Sequence, residues 1–253
     1  MGKNWLELLV ASGSARFAEP PKASNPEFPR RSLLQALSEE GVRIIAEVKR
    51  QSPSAGVLRE PMDPAGLARA YQRGGAAAIS VVTEPRYFGG DSRWVAEVKQ
   101  ATSLPVLQKD FFSRPEHLAH GLASGADAVL LIARVLPGSL LSEMVACCRE
   151  LGLEPLVETH DKEDVQRALD AGATLLGVNS RDLATFTVQV EAAAALVRGL
   201  PSGVVGVLES GVKDPGQFSQ LVAQGVRRFL IGEFLLRQEE PERALKGLLE
   251  ARW

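Results

Sequence analysis

Eight apolar segments alternate with eight amphipathic segments after residue 42, and this alternation limits the possible folds more than any other feature of the chain. The apolar segments have the length and branched residues of buried strands, and no hairpin turns join them. They lie near 43–49, 77–82, 105–108, 127–132, 153–157, 174–178, 203–208 and 227–231, and the helical patterns lie near 64–73, 91–101, 114–123, 139–151, 161–171, 190–198, 214–223 and 239–250. The pattern predicts eight strand–helix units and a parallel sheet covered by helices.

An internal repeat indicates how the units are arranged. GAAAISV, GADAVLL, GATLLGV and GVRRFLI begin at positions 75, 125, 172 and 225, and Gly74, Gly125, Gly172 and Gly225 are each predicted to end a helix before a strand. Eight such units predict a closed (β/α)8 TIM barrel. The alternative, an open doubly wound sheet, would need a glycine-rich turn after the first strand, and RQSPSAG does not match that fingerprint.

Residues 1–42 lie outside the repeat and predict an N-terminal helical extension. Trp5 to Val10 and Ser32 to Glu40 have helical patterns, whereas the Pro-rich segment from Glu19 to Arg30 predicts irregular backbone. We therefore expect residues 1–253 to form a single domain, with the extension at 1–42, the barrel at 43–253 and no fused second enzyme.

Charge and apolar content argue against several classes of function. The net charge of −2 gives no sign of a nucleic-acid partner or an anionic membrane surface, and no apolar run suits a membrane span. Cys147 and Cys148 are adjacent in a helical pattern, which favours a reducing compartment and a cytoplasmic location. The histidines His117, His120 and His160 show no metal-ligand pattern and are predicted to be surface residues or helix caps.

The first predicted strand ends in an acid and a base. Glu47 and Lys49 are two residues apart, so their side chains point to the same face of a strand. Burying both is costly unless they pair or take part in chemistry. Taken alone, they fit a structural ion pair and a catalytic pair equally well.

Charged and polar residues at other strand ends favour the catalytic interpretation. Active sites of (β/α)8 barrels lie at the carboxyl ends of the strands. Five of these ends carry Glu47, Lys49, Lys109, Glu158, Asn179 and Glu209, and the opposite strand ends show no comparable set. We expect these side chains to converge on one cavity.

Glycines after strands 7 and 8 predict a phosphate site. Ser210-Gly211 and Gly232 lie where backbone N–H groups of such barrels commonly bind phosphate. Either glycine alone would be explained as a turn former. Both together favour an anion site.

Two loops have features of a substrate-binding rim. The loop from Arg50 to Met62, which contains Ser52, is long enough to serve as a lid. Phe88 and Phe111 follow strands 2 and 3, where they fit either the core or the walls around an aromatic ring.

Seven motifs at these strand ends, taken in order, resemble the indole-3-glycerol-phosphate synthase family. They are EVKRQSPS at 47–54, YFGG at 87–90, QKDFF at 108–112, LVETH at 156–160, GVNSRDL at 177–183, LESGV at 208–212 and FLIGE at 229–233. The resemblance covers residues 43–253, and residues 1–42 look like the extension that this family adds before its barrel. It implies conversion of 1-(2-carboxyphenylamino)-1-deoxyribulose 5-phosphate to indole-3-glycerol phosphate in tryptophan biosynthesis, with loss of carbon dioxide and water. It implies no metal or organic cofactor.

The resemblance also implies catalytic roles. Lys109 matches the family's general acid, and partial burial near other cations is expected to lower its pKa. Glu158 matches the second acid/base residue. Lys49 is expected to meet substrate anions while Glu47 orients it. Asn179 and Glu209 match positions that hold substrate and support the catalytic groups.

The remaining matches concern the substrate. Arg181 and Ser52 are placed for its carboxylate, Phe88 and Phe111 for its aromatic ring, and Ser210, Gly211 and Gly232 for its phosphate. Many relatives have a small hydroxyl residue where this chain has Glu233. Since a carboxylate repels phosphate, we expect only the backbone N–H of residue 233 to bind it, with the side chain turned away.

Other functions remain open at this point. A phosphoribosylanthranilate isomerase would need a Cys/Asp pair, and no predicted strand ends in cysteine. A Schiff-base aldolase would use Lys109 or Lys49 as nucleophile. A non-catalytic barrel would bind a phosphorylated metabolite or a protein and leave the acids and bases unexplained. The expected partner is a phosphorylated small molecule, and a monomer is the starting assumption.

Overall fold

A closed barrel of eight parallel strands forms the centre of the molecule. The computed structural model describes residues 5–19, 21, 28–182 and 187–251. The barrel strands are β1 (Arg43–Val48), β2 (Ala78–Val82), β3 (Val106–Lys109), β4 (Ala128–Ile132), β5 (Glu154–Thr159), β6 (Leu175–Asn179), β7 (Val205–Glu209) and β8 (Arg228–Ile231). They are ordered as in the chain, and β1 pairs with both β2 and β8. The predicted (β/α)8 barrel is confirmed, and the open sheet is excluded.

Helices follow the strands as the alternation predicts. They are α1 (Trp5–Arg16), α2 (Leu33–Ser38), α3 (Pro64–Arg73), α4 (Pro85–Phe88), α5 (Arg93–Ala101), α6 (Leu118–Ser124), α7 (Leu140–Glu150), α8 (Lys162–Asp170), α9 (Val190–Arg198), α10 (Pro215–Ala223), α11 (Glu233–Leu236) and α12 (Pro241–Glu250). The sequence did not predict the short helices α4 and α11. It also missed a small antiparallel pair, Gln51–Ser52 with Gly56–Val57, in the loop after β1.

The four glycines predicted to end helices do lie at helix ends, and three of them have left-handed backbone. Gly125, Gly172 and Gly225 have φ of 86°, 78° and 101°, which only glycine adopts without strain. At the first repeat the left-handed residue is Gly75, at φ 91°, rather than Gly74. Helix α3 nevertheless ends at Arg73 as predicted, with Gly74 as its C-cap, and the Gly74 N–H bonds to the Ala70 carbonyl at 2.8 Å.

The extension closes the amino end of the barrel. Leu33 and Leu37 of α2 are fully buried against the barrel-interior residues, which include Ile45 and Leu107. Glu154, at the start of β5, accepts from the Ser32 hydroxyl at 2.6 Å and the Leu34 N–H at 2.8 Å. Burial of these apolar side chains, together with the paired carboxylate, fixes α2 beneath the strands.

Charged groups at the amino end contradict one expectation. Asp127, just before β4, accepts from Lys99 Nζ at 2.7 Å and from the Arg31 N–H at 2.9 Å. Lys99 in turn donates to the Pro29 carbonyl at 3.1 Å. The opposite strand ends therefore do carry a buried charged set, and its members bind the extension and each other.

The extension also contacts the carboxyl end. Helix α1 continues to Arg16, six residues beyond the predicted end at Val10. Arg16 Nη1 donates to Asp110 Oδ2 at 3.0 Å, and a Cβ at Gly13 would lie 2.5 Å from the Phe111 carbonyl oxygen. Helix α1 thus braces the segment after β3. Residues 20 and 22–27 of the predicted irregular segment lie outside the described residues.

The described helices contain no candidate membrane span: none of them combines enough length with enough apolar character to cross a bilayer.

Candidate active site

A cavity of about 620 Å³ opens at the carboxyl ends of the strands. It brings together most of the predicted site residues: Glu47, Lys49, Ser52, Phe88, Lys109, Phe111, Glu158, Asn179, Arg181, Ser210, Gly211, Gly232 and Glu233. Glu209 does not line the cavity; it is fully buried and accepts a hydrogen bond from Lys109. Val82, Leu130, Ile132 and Leu230 supply apolar wall. This mixture of apolar surface and convergent polar groups is typical of a small-molecule site.

Lys109 lies at the centre of three carboxylates. Its Nζ donates to Glu209 Oε2 at 2.8 Å and lies 3.7 Å from Glu47 Oε1 and 3.9 Å from Glu158 Oε2. Burial favours the neutral amine, but the charges of Glu209, Glu47 and Glu158 outweigh it and raise the pKa of Lys109. The expected lowering of this pKa is therefore wrong, because anions rather than cations surround the ammonium group.

Glu47 and Lys49 form the predicted same-face pair. Lys49 Nζ donates to Glu47 Oε2. Burial acts to raise the pKa of Glu47, but Lys49 and Lys109 together bring it below its usual value. A Cβ at Gly232 would lie 2.3 Å from Glu47 Oε2, so a glycine on β8's end makes room for this carboxylate.

Glu209 is a fully buried carboxyl group of the cluster, and its pKa is raised. Burial raises its pKa to about 7 despite the opposing charge of Lys109, and the charges of Glu158 and Glu47 add to the rise. Its Oε1 would lie 1.8 Å from a Cβ at Gly177, on the neighbouring strand β6. Gly177 is thus required by the packing of Glu209, a relation that the single sequence did not reveal.

Arg181 connects the loops after β1, β6 and β8. Its backbone N–H bonds to Asn179 Oδ1 at 3.0 Å, which fixes the Asn179 amide at the rim. Its guanidinium donates to the Ser54 hydroxyl at 3.4 Å and lies 3.9 Å from Glu233 Oε2. Ser52 accepts from the Ala55 N–H at 3.1 Å, within the small hairpin. The half-buried Arg181 guanidinium therefore places a positive charge at the rim of the cavity.

The segments after β7 and β8, where the sequence predicts a phosphate site, line the cavity, and the first contains two consecutive left-handed residues. Ser210 has φ 65° and Gly211 φ 87°, and the first value is uncommon for a residue with a side chain. Glu233 Oε1 accepts from Arg237 at 3.1 Å and 3.0 Å, through Nε and Nη2. The Glu233 carboxylate is thus neutralised by Arg237, which also lines the cavity and which the sequence did not single out.

Two aromatic rings form one wall. The Phe88 and Phe111 ring centroids are 6.2 Å apart, with the planes inclined at 35°. Both line the cavity, and they follow the adjacent strands β2 and β3. The spacing is that of a favourable aromatic pair.

The prediction that the histidines are surface residues or helix caps is wrong for His160, whereas His117 occupies the N-cap position of α6, without a capping bond from its side chain. His117 is buried, and its Nδ1 accepts from the Ser113 N–H at 3.3 Å. The His160 side chain is 3% exposed and lies against Glu158. A signal was present in the sequence: Glu158 and His160 are two apart at a strand end, as Glu47 and Lys49 are.

Comparison with known proteins identifies the family. The family model for indole-3-glycerol phosphate synthase matches residues 6–248. The chain belongs to the indole-3-glycerol-phosphate synthase family. The family's synthase from Sulfurimonas denitrificans is 42% identical over 228 residues, 89% of this chain and 87% of that protein. The synthase from Desulfosudis oleivorans is 42% identical over 95% of this chain and 89% of its own length.

A likeness to a solved structure concerns the fold alone. Thiamine phosphate pyrophosphorylase from Pyrococcus furiosus superposes with a TM-score of 0.62 and 17% identity, over 82% of this chain and 93% of that chain. The assignment of function depends on the family match instead. As an indole-3-glycerol-phosphate synthase family member, the chain is a carbon–carbon lyase of tryptophan biosynthesis.

Proposed function

We propose that Lys109 is the general acid of ring closure and that Glu158 serves the dehydration that follows. The observation that carries this proposal is the position of the Lys109 ammonium group among Glu47, Glu158 and Glu209, at the floor of the cavity. These carboxylates keep Lys109 protonated, and it also lines the cavity, so it has a proton to give to a substrate oxygen.

Ring closure needs one proton at one oxygen. The ring carbon that bears the carboxylate attacks the ketone carbon of 1-(2-carboxyphenylamino)-1-deoxyribulose 5-phosphate, and a carbon–carbon bond forms. Lys109 protonates the ketone oxygen, which becomes a hydroxyl group. Carbon dioxide then leaves, and its bonding electrons restore the aromatic ring. Glu47 and Glu209 hold the Lys109 ammonium group in position, either as two carboxylates or with one proton shared between them.

Dehydration completes the indole. The new hydroxyl group leaves as water while the neighbouring position loses a proton, and Glu158 is the acid/base residue for this exchange. Its Oε2 lies 3.9 Å from Lys109 Nζ, so both groups reach the same region of the substrate. Lys49, which lines the cavity, binds a substrate anion, and Asn179 orients the substrate from the β6 end.

The rim residues hold the two ends of the substrate. Arg181 and Ser52 bind the carboxylate, and Phe88 and Phe111 enclose the aromatic ring. The phosphate binds to backbone N–H groups of Ser210, Gly211, Gly232 and Glu233. The bonds from Arg237 to Glu233 support the expectation that the Glu233 side chain turns from the phosphate.

The test separates closure from dehydration. In single turnovers, Lys109→Ala is expected to slow both carbon dioxide release and indole fluorescence by about 10²–10⁴-fold. Glu158→Gln is expected to release carbon dioxide while indole fluorescence lags. Matched controls are Lys246→Ala, an exposed lysine on α12, and Glu154→Gln, at the opposite end of Glu158's own strand. Near-normal turnover by Lys109→Ala would contradict the assignment.

The wider setting is proposed on the same basis. We propose that the chain works in the cytoplasm as a monomeric single domain, with residues 1–42 as an extension of the barrel. We also propose that the reaction needs no metal or organic cofactor. Full activity in the presence of EDTA, measured on a protein whose mass in solution matches one chain, supports these points; loss of activity on chelation contradicts the last.

A further inference from the structure

His160 lies directly behind Glu158, outside the cavity lining. Its Nε2 is 3.6 Å from Glu158 Oε1, and its Nδ1 is 3.6 Å from Asp164 Oδ2. Within the described residues, neither ring nitrogen has a hydrogen-bond partner, and Glu158 Oε1 has none either. A buried imidazole therefore stands between a carboxylate at the cavity and a second carboxylate behind it.

The second carboxylate is firmly held. Asp164 Oδ2 accepts from Arg134 Nε at 2.9 Å and from the backbone N–H of His160 at 3.1 Å. The Asp164 N–H bonds to Asp161 Oδ1 at 2.9 Å, the N-terminal cap of α8. Asp164 is 4% exposed. The Asp164 carboxylate therefore gives the Nδ1 side of the His160 ring a neighbour with a fixed position, as a positioning residue requires.

We propose that His160 is a positioning residue that orients Glu158 and places a titratable cation beside it, an inference that rests on the role proposed for Glu158. At 3.6 Å the ring nitrogen is too far for a hydrogen bond. A small rotation of either side chain brings an N–H group onto Oε1, and catalytic hydrogen bonds often shorten in the reacting complex. The arrangement follows the general rule that a third group orients a catalytic base.

Surrounding charges decide how His160 titrates. Burial lowers the pKa of His160, but Asp164 and Glu158 outweigh it and raise the pKa overall, against the charge of Arg134. Asp164 faces the ring from α8, Glu158 from β5 and Arg134 from the turn after β4, while Lys109 faces the other Glu158 oxygen. Protonated His160 can donate to both carboxylates. As the pH rises through this raised pKa, Glu158 loses the cationic neighbour at Oε1 and keeps Lys109 at Oε2.

Two substitutions separate orientation from charge. In His160→Asn the amide reaches only the position of Nδ1, so Glu158 loses its neighbour, whereas in His160→Gln the amide reaches the position of Nε2. His160→Asn is expected to lower kcat at least about tenfold with little change in KM. His160→Gln is expected to restore most of kcat at neutral pH and to lack the alkaline limb of the wild-type pH profile. The control is His117→Asn, which removes another buried histidine but keeps an acceptor for Ser113.

A second measurement does not depend on turnover. Histidine titration is followed by NMR in the wild type and in Glu158→Gln, where His160 is expected to titrate at lower pH because an anionic neighbour is gone. An unchanged His160 titration, or variants with wild-type kcat and pH profile, would overturn the inference. If instead the wild type fails to form the indole product, the proposed function falls, and the NMR comparison still decides whether His160 and Glu158 interact. If His160→Asn does not fold, the His160→Gln pH profile decides.

Discussion

Replacing Gly177 by alanine is expected to lower kcat although no charged residue is substituted. A Cβ at position 177 would lie 1.8 Å from Glu209 Oε1, whereas a normal carbon–oxygen contact is about 3.3 Å. Glu209 therefore has to move by more than about 1 Å, which breaks its 2.8 Å bond to Lys109 Nζ. Misplacement of this size costs about 10²-fold in kcat, and the overpacking costs about 1–3 kcal/mol of unfolding free energy.

The assay combines indole fluorescence for kcat with urea denaturation for stability. The matched control is Gly206→Ala on the neighbouring strand, where a new Cβ would lie 2.5 Å from the flexible end of Leu200 and 3.2 Å from Val197 Cγ1, and would meet no charged group. It is expected to lose some stability and to keep kcat within about twofold. If Gly177→Ala retained wild-type kcat, or if Gly206→Ala lost as much, the placement of Glu209 would not be what limits activity.

Three further predictions concern stability. Lys99→Met leaves Asp127 buried without its cation, so urea denaturation is expected to show a loss of about 3–5 kcal/mol, partly recovered by adding Asp127→Asn. Arg16→Ala removes the cationic partner of buried Asp110, which keeps its bonds from Thr83 and Phe111, and is expected to cost about 1–3 kcal/mol by the same assay, whereas a loss near zero would show that α1 does not brace the barrel. The pKa of Glu209 is about 7 in the folded protein and near 4.5 in the unfolded chain. Between pH 4.5 and 7 the folded state therefore binds more protons, and the wild type is expected to lose stability as the pH rises, relative to Glu209→Gln. Parallel stability–pH curves for the two proteins would contradict that last prediction.

The barrel could be predicted from the sequence because each unit repeats the same physical signals. Buried parallel strands read as apolar runs, and glycines such as Gly125 and Gly225 adopt the left-handed conformation that ends a helix. The placement of Glu47 beside Lys49 followed from the two-residue period of a strand. These are local rules, so one sequence was sufficient for them.

Features that depend on packing between distant segments could not be predicted. The end of α1 at Arg16 reflects the contact with Asp110, 94 residues away. The lowered pKa expected for Lys109 was wrong because it assumed nearby cations, whereas the barrel register places Glu209 against it. The role of Gly177 depends on the pairing of β6 with β7, which sets Asn179 beside Glu209. Strand order in space, rather than any motif, determines these contacts.

The charge balance of the cluster helps to explain why the Glu209 carboxyl group and the His160 imidazole both have raised pKa values. Three carboxylates, Glu47, Glu158 and Glu209, face two ammonium groups, Lys49 and Lys109. An excess negative charge is costly in a buried site, so the cluster favours uptake of a proton. Burial prevents solvent from screening this charge, and it favours the protonated forms of Glu209, whose pKa is about 7, and of His160, whose pKa is raised. Binding of an anionic substrate adds negative charge and strengthens this tendency, so substrate binding is expected to draw a proton into the cluster, measurable as proton uptake from a weakly buffered solution.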